Sequence, residues 1–218
     1  MPDSPSMSEE HLAAAPLIGA RLGLAALHRV LEAHRAWLER RPGGLRASLH
    51  GVVLPEAALD KVNFERADLK AANFIDARMS DANLSGASLQ FADLSNATLI
   101  DADLSQAELV DAKLEHALLG GANFSEARFL RASLRGANLR QAHLLEVNME
   151  RCDFAGTVLR EAQLLQAKCS TVTSRRRSLR EPISTTACSG VASCPEYPPP
   201  DRTGAPRRCR IANSGEPI

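Results

Sequence analysis

The chain has 218 residues, enough for one domain with appendages. It is 44% apolar but only 4% aromatic, so its core is built from small and medium aliphatic side chains. Lys plus Arg and Asp plus Glu balance at 26 each, which excludes an overall bias toward nucleic acid or an anionic membrane.

No stretch reaches the roughly 18 uninterrupted apolar residues of a membrane span, and the most apolar early run, Leu17 to Leu31, is broken by Arg21, His28 and Arg29. That run follows Glu9 and Glu10 rather than a basic leader and ends without a cleavage pattern, so a secretory signal is not expected. The five cysteines, Cys152, Cys169, Cys188, Cys194 and Cys209, lack the close pairs of a zinc ribbon. The chain is therefore expected in the cytoplasm, with its cysteines as free thiols in a reducing compartment.

Residues 1–7 are expected to be disordered, and residues 8–41 to form an α-helical lead-in. Ser8 is its candidate N-cap with Glu9 and Glu10 in the first turn, and Pro16 restarts the helix. Leu24, Leu27, Leu31, His34 and Leu38 follow three-and-four spacing, and Arg40 and Arg41 before "PGG" mark a C-terminal stop. A repeat array needs its first apolar end covered, which makes this helix a cap. Its second reading is a docking or dimerising helix anchored by Trp37, and its third a membrane-surface helix, against which Glu32 and Glu39 stand among the arginines.

From Leu49 to Leu164 every fifth residue is Leu, Phe or Met, 24 positions without an insertion. Two residues ahead of each runs a second column, Ala47 to Ala167, alanine in 20 of its 25 places. Five steps along an α-helix turn about 140° net and scatter the leucines around the cylinder, while a flat strand sends residues five apart to alternate faces. Neither suits a column that has to be buried. A chain that turns a corner once per five residues keeps every Leu or Phe inward, and such units stack as a solenoid. The structural core then includes Leu69, Phe74, Leu84, Leu94, Leu104, Leu114, Phe124 and Leu134. Between the two columns Asp68, Asn73, Asn83, Asp93, Asp103, Asn123 and Asn138 face outward or bond to the turn backbone.

Units such as "ADLSN", "ADLSQ", "ANLSG" and "ANLRQ" resemble those of the pentapeptide repeat family. The resemblance covers residues 47–171 and implies a mainly β fold: a right-handed, four-sided β-helix with four repeats to a coil. About six coils at roughly 4.8 Å each make a rod about 30 Å long. The N-terminal segment "LEAHRAWLERR" is similar to the lead-in of bacterial pentapeptide arrays. After Thr171 the period ends in Arg, Ser, Pro and Thr, as in "SRRRSLR" and "YPPPD", so residues 172–218 are read as a disordered basic tail. Its run Arg175 to Arg177 is a solvated charge run rather than a nucleic-acid contact.

Gly-rich phosphate loops, HExxH, GxSxG and cysteine knuckles are absent, and the six histidines are dispersed. No enzyme activity, cofactor or metal is therefore expected. His143 follows Asn63, Asn83, Asp103 and Asn123 at intervals of 20, which makes it a partner in a polar ladder. Two functions remain. One is a protein–protein interaction scaffold, its partner a protein not identified by the sequence or a second copy in a homodimer. The other is implied by the resemblance, whose quinolone-resistance members are acidic rods that bind type II topoisomerases such as DNA gyrase in place of DNA.

Charge weighs against the second reading. Residues 47–167 carry 17 acidic and 11 basic side chains, whereas ~30 Å of B-DNA carries roughly 18 phosphate charges. The first half, 47–111, is the more acidic, with 11 acids against 4 bases. Direct nucleic-acid binding and membrane association are not expected. The candidate interaction surface is Phe91, Val110, Leu130, Leu145 and Leu165, apolar residues at outward positions that elsewhere hold Ser, Asp, Gln or Arg.

Overall fold

A computed structural model describes Gly19 and residues 22–170. Helix α1 spans Leu24–Leu38. Among the described residues this shortens the helical lead-in expected over 8–41: Gly19 sits at φ 72°, and Gly23 is extended, at φ −70° and ψ 155°. Two glycines interrupt the apolar periodicity, and α1 starts only after the second. The Gly19 N–H donates to the Gly51 carbonyl at 2.7 Å, tying the lead-in to the first coil. The proposed Ser8 cap, the Pro16 restart, the residues 1–7 and the tail from 172 lie outside the described residues.

At its C-terminal end α1 closes through Glu39, and Arg40 takes a left-handed conformation, φ 55°. The chain then folds back, the Leu45 N–H bonding to the Ala33 carbonyl at 3.0 Å. Gly44 packs so tightly there that a Cβ would lie 2.3 Å from the Trp37 backbone nitrogen. Leu27 and His34 are the buried residues of α1, and Leu27 joins the same apolar cluster as the repeats.

The repeats form a four-sided parallel β-helix with a step of 20 residues. One ladder runs Ser48, Asp68, Ser88, Glu108, Arg128, Asn148 and Lys168; the others begin at Val53, Ala58 and Asn63. Most sides are so short that one residue per side pairs with the next coil. Only the ladder that begins at Ser48 lengthens into strands, at β1 (Arg128–Leu130), β2 (Asn148–Glu150) and β3 (Lys168–Ser170), which pair in parallel in that order.

The backbone of one unit shows why the pentad has its composition. In residues 93–97 the Asp93, Leu94 and Asn96 N–H groups bond to the carbonyls of Ala72, Lys113 and Glu115 on neighbouring coils, at 2.9, 2.7 and 2.8 Å. The Ala97 N–H closes the turn onto the Leu94 carbonyl at 3.1 Å. The fifth donor, Ser95, faces no backbone and bonds instead to Asp93 Oδ1 at 3.1 Å. Buried or half-buried amides need partners, and a short Asn or Asp before the leucine supplies the missing one. Asn63, Asp68, Asn73, Asn83, Asp103, Asn123, Asn138 and Asp153 repeat that bond to the amide two residues on.

Each corner places its second residue at positive φ, from Gly51 through Gln166, yet only Gly51, Gly86, Gly121, Gly136 and Gly156 are glycine there. A turn with that geometry asks for glycine or Asn, and ordinary side chains adopt it here because the inter-coil bonds outweigh a local cost of about 1–2 kcal/mol. Inside, both columns meet. Leu69, Phe74, Leu84, Leu94, Leu104, Leu114 and Phe124 are fully buried and Leu134 nearly so. Each removes a side chain worth roughly 1.5–3 kcal/mol from water. Among the described residues no helix is long and apolar enough to cross a membrane.

Candidate interaction surface

The five apolar residues selected from the sequence fall at the corners, where side chains escape the stack. The Phe91 N–H donates to the Val110 carbonyl at 2.9 Å, and the Asp111 N–H to the Leu130 carbonyl at 2.8 Å. Phe91, Val110 and Leu130 therefore climb one edge of the rod on three successive coils. Val110 and Leu130 are half-buried, whereas Phe91 is 63% exposed and is held at φ 62°. A bulky residue in that conformation is unusual. Leu145 and Leu165 stack on the adjacent corner, both exposed, beside the Glu126 and Glu146 amides that bond to their carbonyls. The five sequence-selected residues thus occupy two neighbouring edges.

Of two further exposed apolar residues of the rod, Ile100 lies on a third edge and Leu118 on the face beside it. Ile100 occupies the same turn position as Val110, so the repeat register contained the signal for it. Leu118 stands in a ladder between Thr98 and Asn138, a place where its neighbours are polar. A groove of about 560 Å³ lies between Leu24, Leu27, His28 and Leu31 of α1 and Leu59 and Val62 of the first coil. It required the docked helix to exist and has no linear signal.

The family comparisons agree with the ladder geometry. The model of the Pentapeptide repeat region matches residues 47–124, and that of Pentapeptide repeats (8 copies) matches residues 107–144. A solved pentapeptide repeat protein from Nostoc Pcc 7120 is 34% identical, over 49% of this chain and 79% of its own, with a TM-score of 0.40. The chain belongs to the pentapeptide repeat family. HetL, a pentapeptide repeat protein involved in heterocyst differentiation regulation in Nostoc sp. strain PCC 7120, is 35% identical over 56% of this chain, with a TM-score of 0.39. The chain spans 61% of the length of HetL. A trypsin-treated variant of QnrB1, a plasmid-mediated fluoroquinolone resistance protein, is 21% identical over 58% of this chain and 66% of its own, with a TM-score of 0.37. No curated protein matches the chain.

On this pentapeptide repeat rod, many acids are not free charges. Asp60, Asp93, Glu108, Asp111, Asp153 and Glu161 each meet a cation from a neighbouring coil, Arg78, Lys113, Arg128, Arg131, Arg135 and Arg140 in turn. Arg131 Nε approaches Asp111 Oδ1 at 2.7 Å, and this hydrogen bond holds the Asp111 carboxyl below the ordinary carboxylate range. Exposed pairs add little stability, but they do cancel field. Among the described residues, Asp76, Asp81 and Asp101 have no ion-pair partner.

The polar ladder contains Asn63, Asn83, Asp103, Asn123, His143 and Gln163 in register, with Asn123 Nδ2 donating to Asp103 Oδ1 at 3.2 Å. Among the described residues no group of three or more His, Cys, Asp or Glu is arranged to hold a metal ion. Cys152 is buried in place of an alanine, donates its thiol to the Phe129 carbonyl at 3.2 Å, and burial pushes its pKa up to about 11. A thiol so poised is a packing residue and a poor nucleophile.

Proposed function

We propose that this protein is a non-catalytic scaffold for protein–protein interaction in the cytoplasm, a right-handed solenoid of about six coils. Its contact surface is the pair of edges formed by Phe91, Val110 and Leu130 and by Leu145 and Leu165. One observation carries the reading: Phe91 stands 63% exposed on a left-handed backbone beside the apolar step of Val110 and Leu130. A large aromatic projecting from a rigid support is the kind of anchor around which interfaces form. The partner is another protein or a second copy of this chain.

The test compares wild type with the double variant Val110→Lys, Leu130→Glu by light scattering after gel filtration and by partner capture from the native host. The scaffold reading expects lost partners or a halved mass with an unchanged circular dichroism spectrum. Unchanged mass and partners in a folded double variant would remove this surface.

A second reading, imitation of DNA toward a type II topoisomerase, draws on the acidic first half and on the resistance role in QnrB1's description. The ion pairs between coils weaken it, because they cancel charge that a phosphate-like stripe needs. We expect no effect on DNA gyrase supercoiling at micromolar protein; dose-dependent inhibition that salt abolishes would place this reading first.

A further inference from the structure

Helix α1 meets the first coil through apolar contacts of Leu27 and through one buried imidazole. His34 is completely buried, and its Nδ1 accepts the Ala47 N–H at 3.1 Å, joining the helix to the first member of the alanine column. Its ring stacks on Trp37 with centroids 5.6 Å apart and planes 13° from parallel. Nε2 is buried toward the Glu65 backbone and makes no well-formed hydrogen bond among the described residues. An acceptor at Nδ1 requires the neutral ring with its proton on Nε2.

The charged groups that face this ring oppose one another. Glu65 lies toward it from the first coil and Arg46 from the connector, and the Arg46 guanidinium also donates to the Arg66 carbonyl. A second proton would set an Nδ1–H against the Ala47 N–H, donor against donor, and would place a charge where water cannot reach it.

We propose that His34 is a pH-sensitive latch: its neutral imidazole holds α1 on the first coil, and proton uptake releases the helix while the remaining coils stay folded. Burial pulls the His34 pKa below its ordinary value, with Glu65 offsetting part of the effect. A group depressed in this way contributes fully above its unfolded pKa of about 6.5, and its contribution is lost as the pH falls below that value. The coils have no such dependence on His34, since their ladders pair with each other. Release uncovers the groove side chains Leu59 and Val62 together with Leu27, an acid-induced apolar end.

The full-length protein is followed from pH 7.5 to pH 5.0 by two readouts, nitrogen-15 NMR of the His34 ring and amide hydrogen-exchange protection factors. Protection over 24–38 is expected to fall by up to about 30-fold at pH 5.0, the ratio set by 1.5 pH units of linkage. Protection over 64–150 is expected to hold. His34→Asn, which keeps an acceptor near Nδ1 but cannot titrate, should abolish the pH dependence although His28 and His50 remain. The latch is overturned by a ring that gains its proton without loss of helix protection, or by a helix still protected at pH 5.0. It is equally overturned by coils that loosen in parallel or by an unaltered profile in the variant. Should the Asn variant fail to dock its helix at pH 7.5, the two wild-type readouts decide alone.

Discussion

Gly136 and His116 lie twenty residues apart in the chain and in contact in space: a Cβ built on Gly136 would fall 2.5 Å from His116 Nδ1. Gly136 is at φ 65°, the corner conformation that side-chain-bearing residues adopt elsewhere in this rod. Glycine is required here less by the backbone than by the ring stacked over it. Gly136→Ala should therefore cost about 1–2 kcal/mol for the left-handed backbone and at least as much again for the displaced imidazole. In a double-mutant cycle read by urea denaturation, His116→Ser should recover the second part but not the first. Strict additivity of the two substitutions would show that the ring moves aside freely.

The inward column should tolerate no charge. Leu94 is fully buried, so Leu94→Asp leaves a carboxylate without a partner and should cost several kcal/mol, unfolding adjacent coils. Asn96→Asp, exposed and already at φ 58°, is the control and should melt within a degree or two of wild type. Thermal unfolding by circular dichroism separates the two, and a Leu94→Asp protein that melts with the control would contradict the register.

Asn83 should matter through its acceptor alone. Its Oδ1 takes the Ser85 N–H at 3.0 Å and the Ser85 hydroxyl at 2.7 Å. Asn83→Ala is expected to cost about 1 kcal/mol in urea denaturation. Asn83→Asp should restore it at neutral pH, since Asp93 performs the same task for Ser95.

Cys152 should resist alkylation. With a pKa near 11 and no exposed sulfur path, it is expected to stay unmodified by iodoacetamide at pH 8 in the native protein and to react once unfolded in urea. Peptide mass spectrometry reads this site by site. Native labelling of Cys152 would mean that its coil opens locally.

The repeats were legible because their information is one-dimensional. A five-residue period excludes helix and flat strand by geometry, and it assigns every position from Leu49 to Leu164 to inside or outside without any tertiary knowledge. The Asn and Asp bonding role followed from side-chain length, and its accounting became complete once the amide of each turn was seen to lack a backbone partner. The left-handed corners were not legible, because Phe91, Gln106 and Glu126 have no individual preference for φ above zero; the stack imposes it on them.

What only the tertiary structure decided lies where different elements meet. The periodicity of the lead-in suggested a helical segment over 8–41 with a restart at Pro16, whereas α1 begins at Leu24, because an amphipathic pattern does not reveal where a glycine interrupts it. His34 read in sequence as one apolar-face position among several, and only the docking of α1 showed its ring buried against Ala47 and Trp37. The ion pairs that cancel the rod's acidity likewise join residues 18 to 21 apart on neighbouring coils. A repeat determines its own fold through neighbours of the same kind; a helix laid across its end, and the charge state of a ring beneath it, depend on contacts that no period encodes.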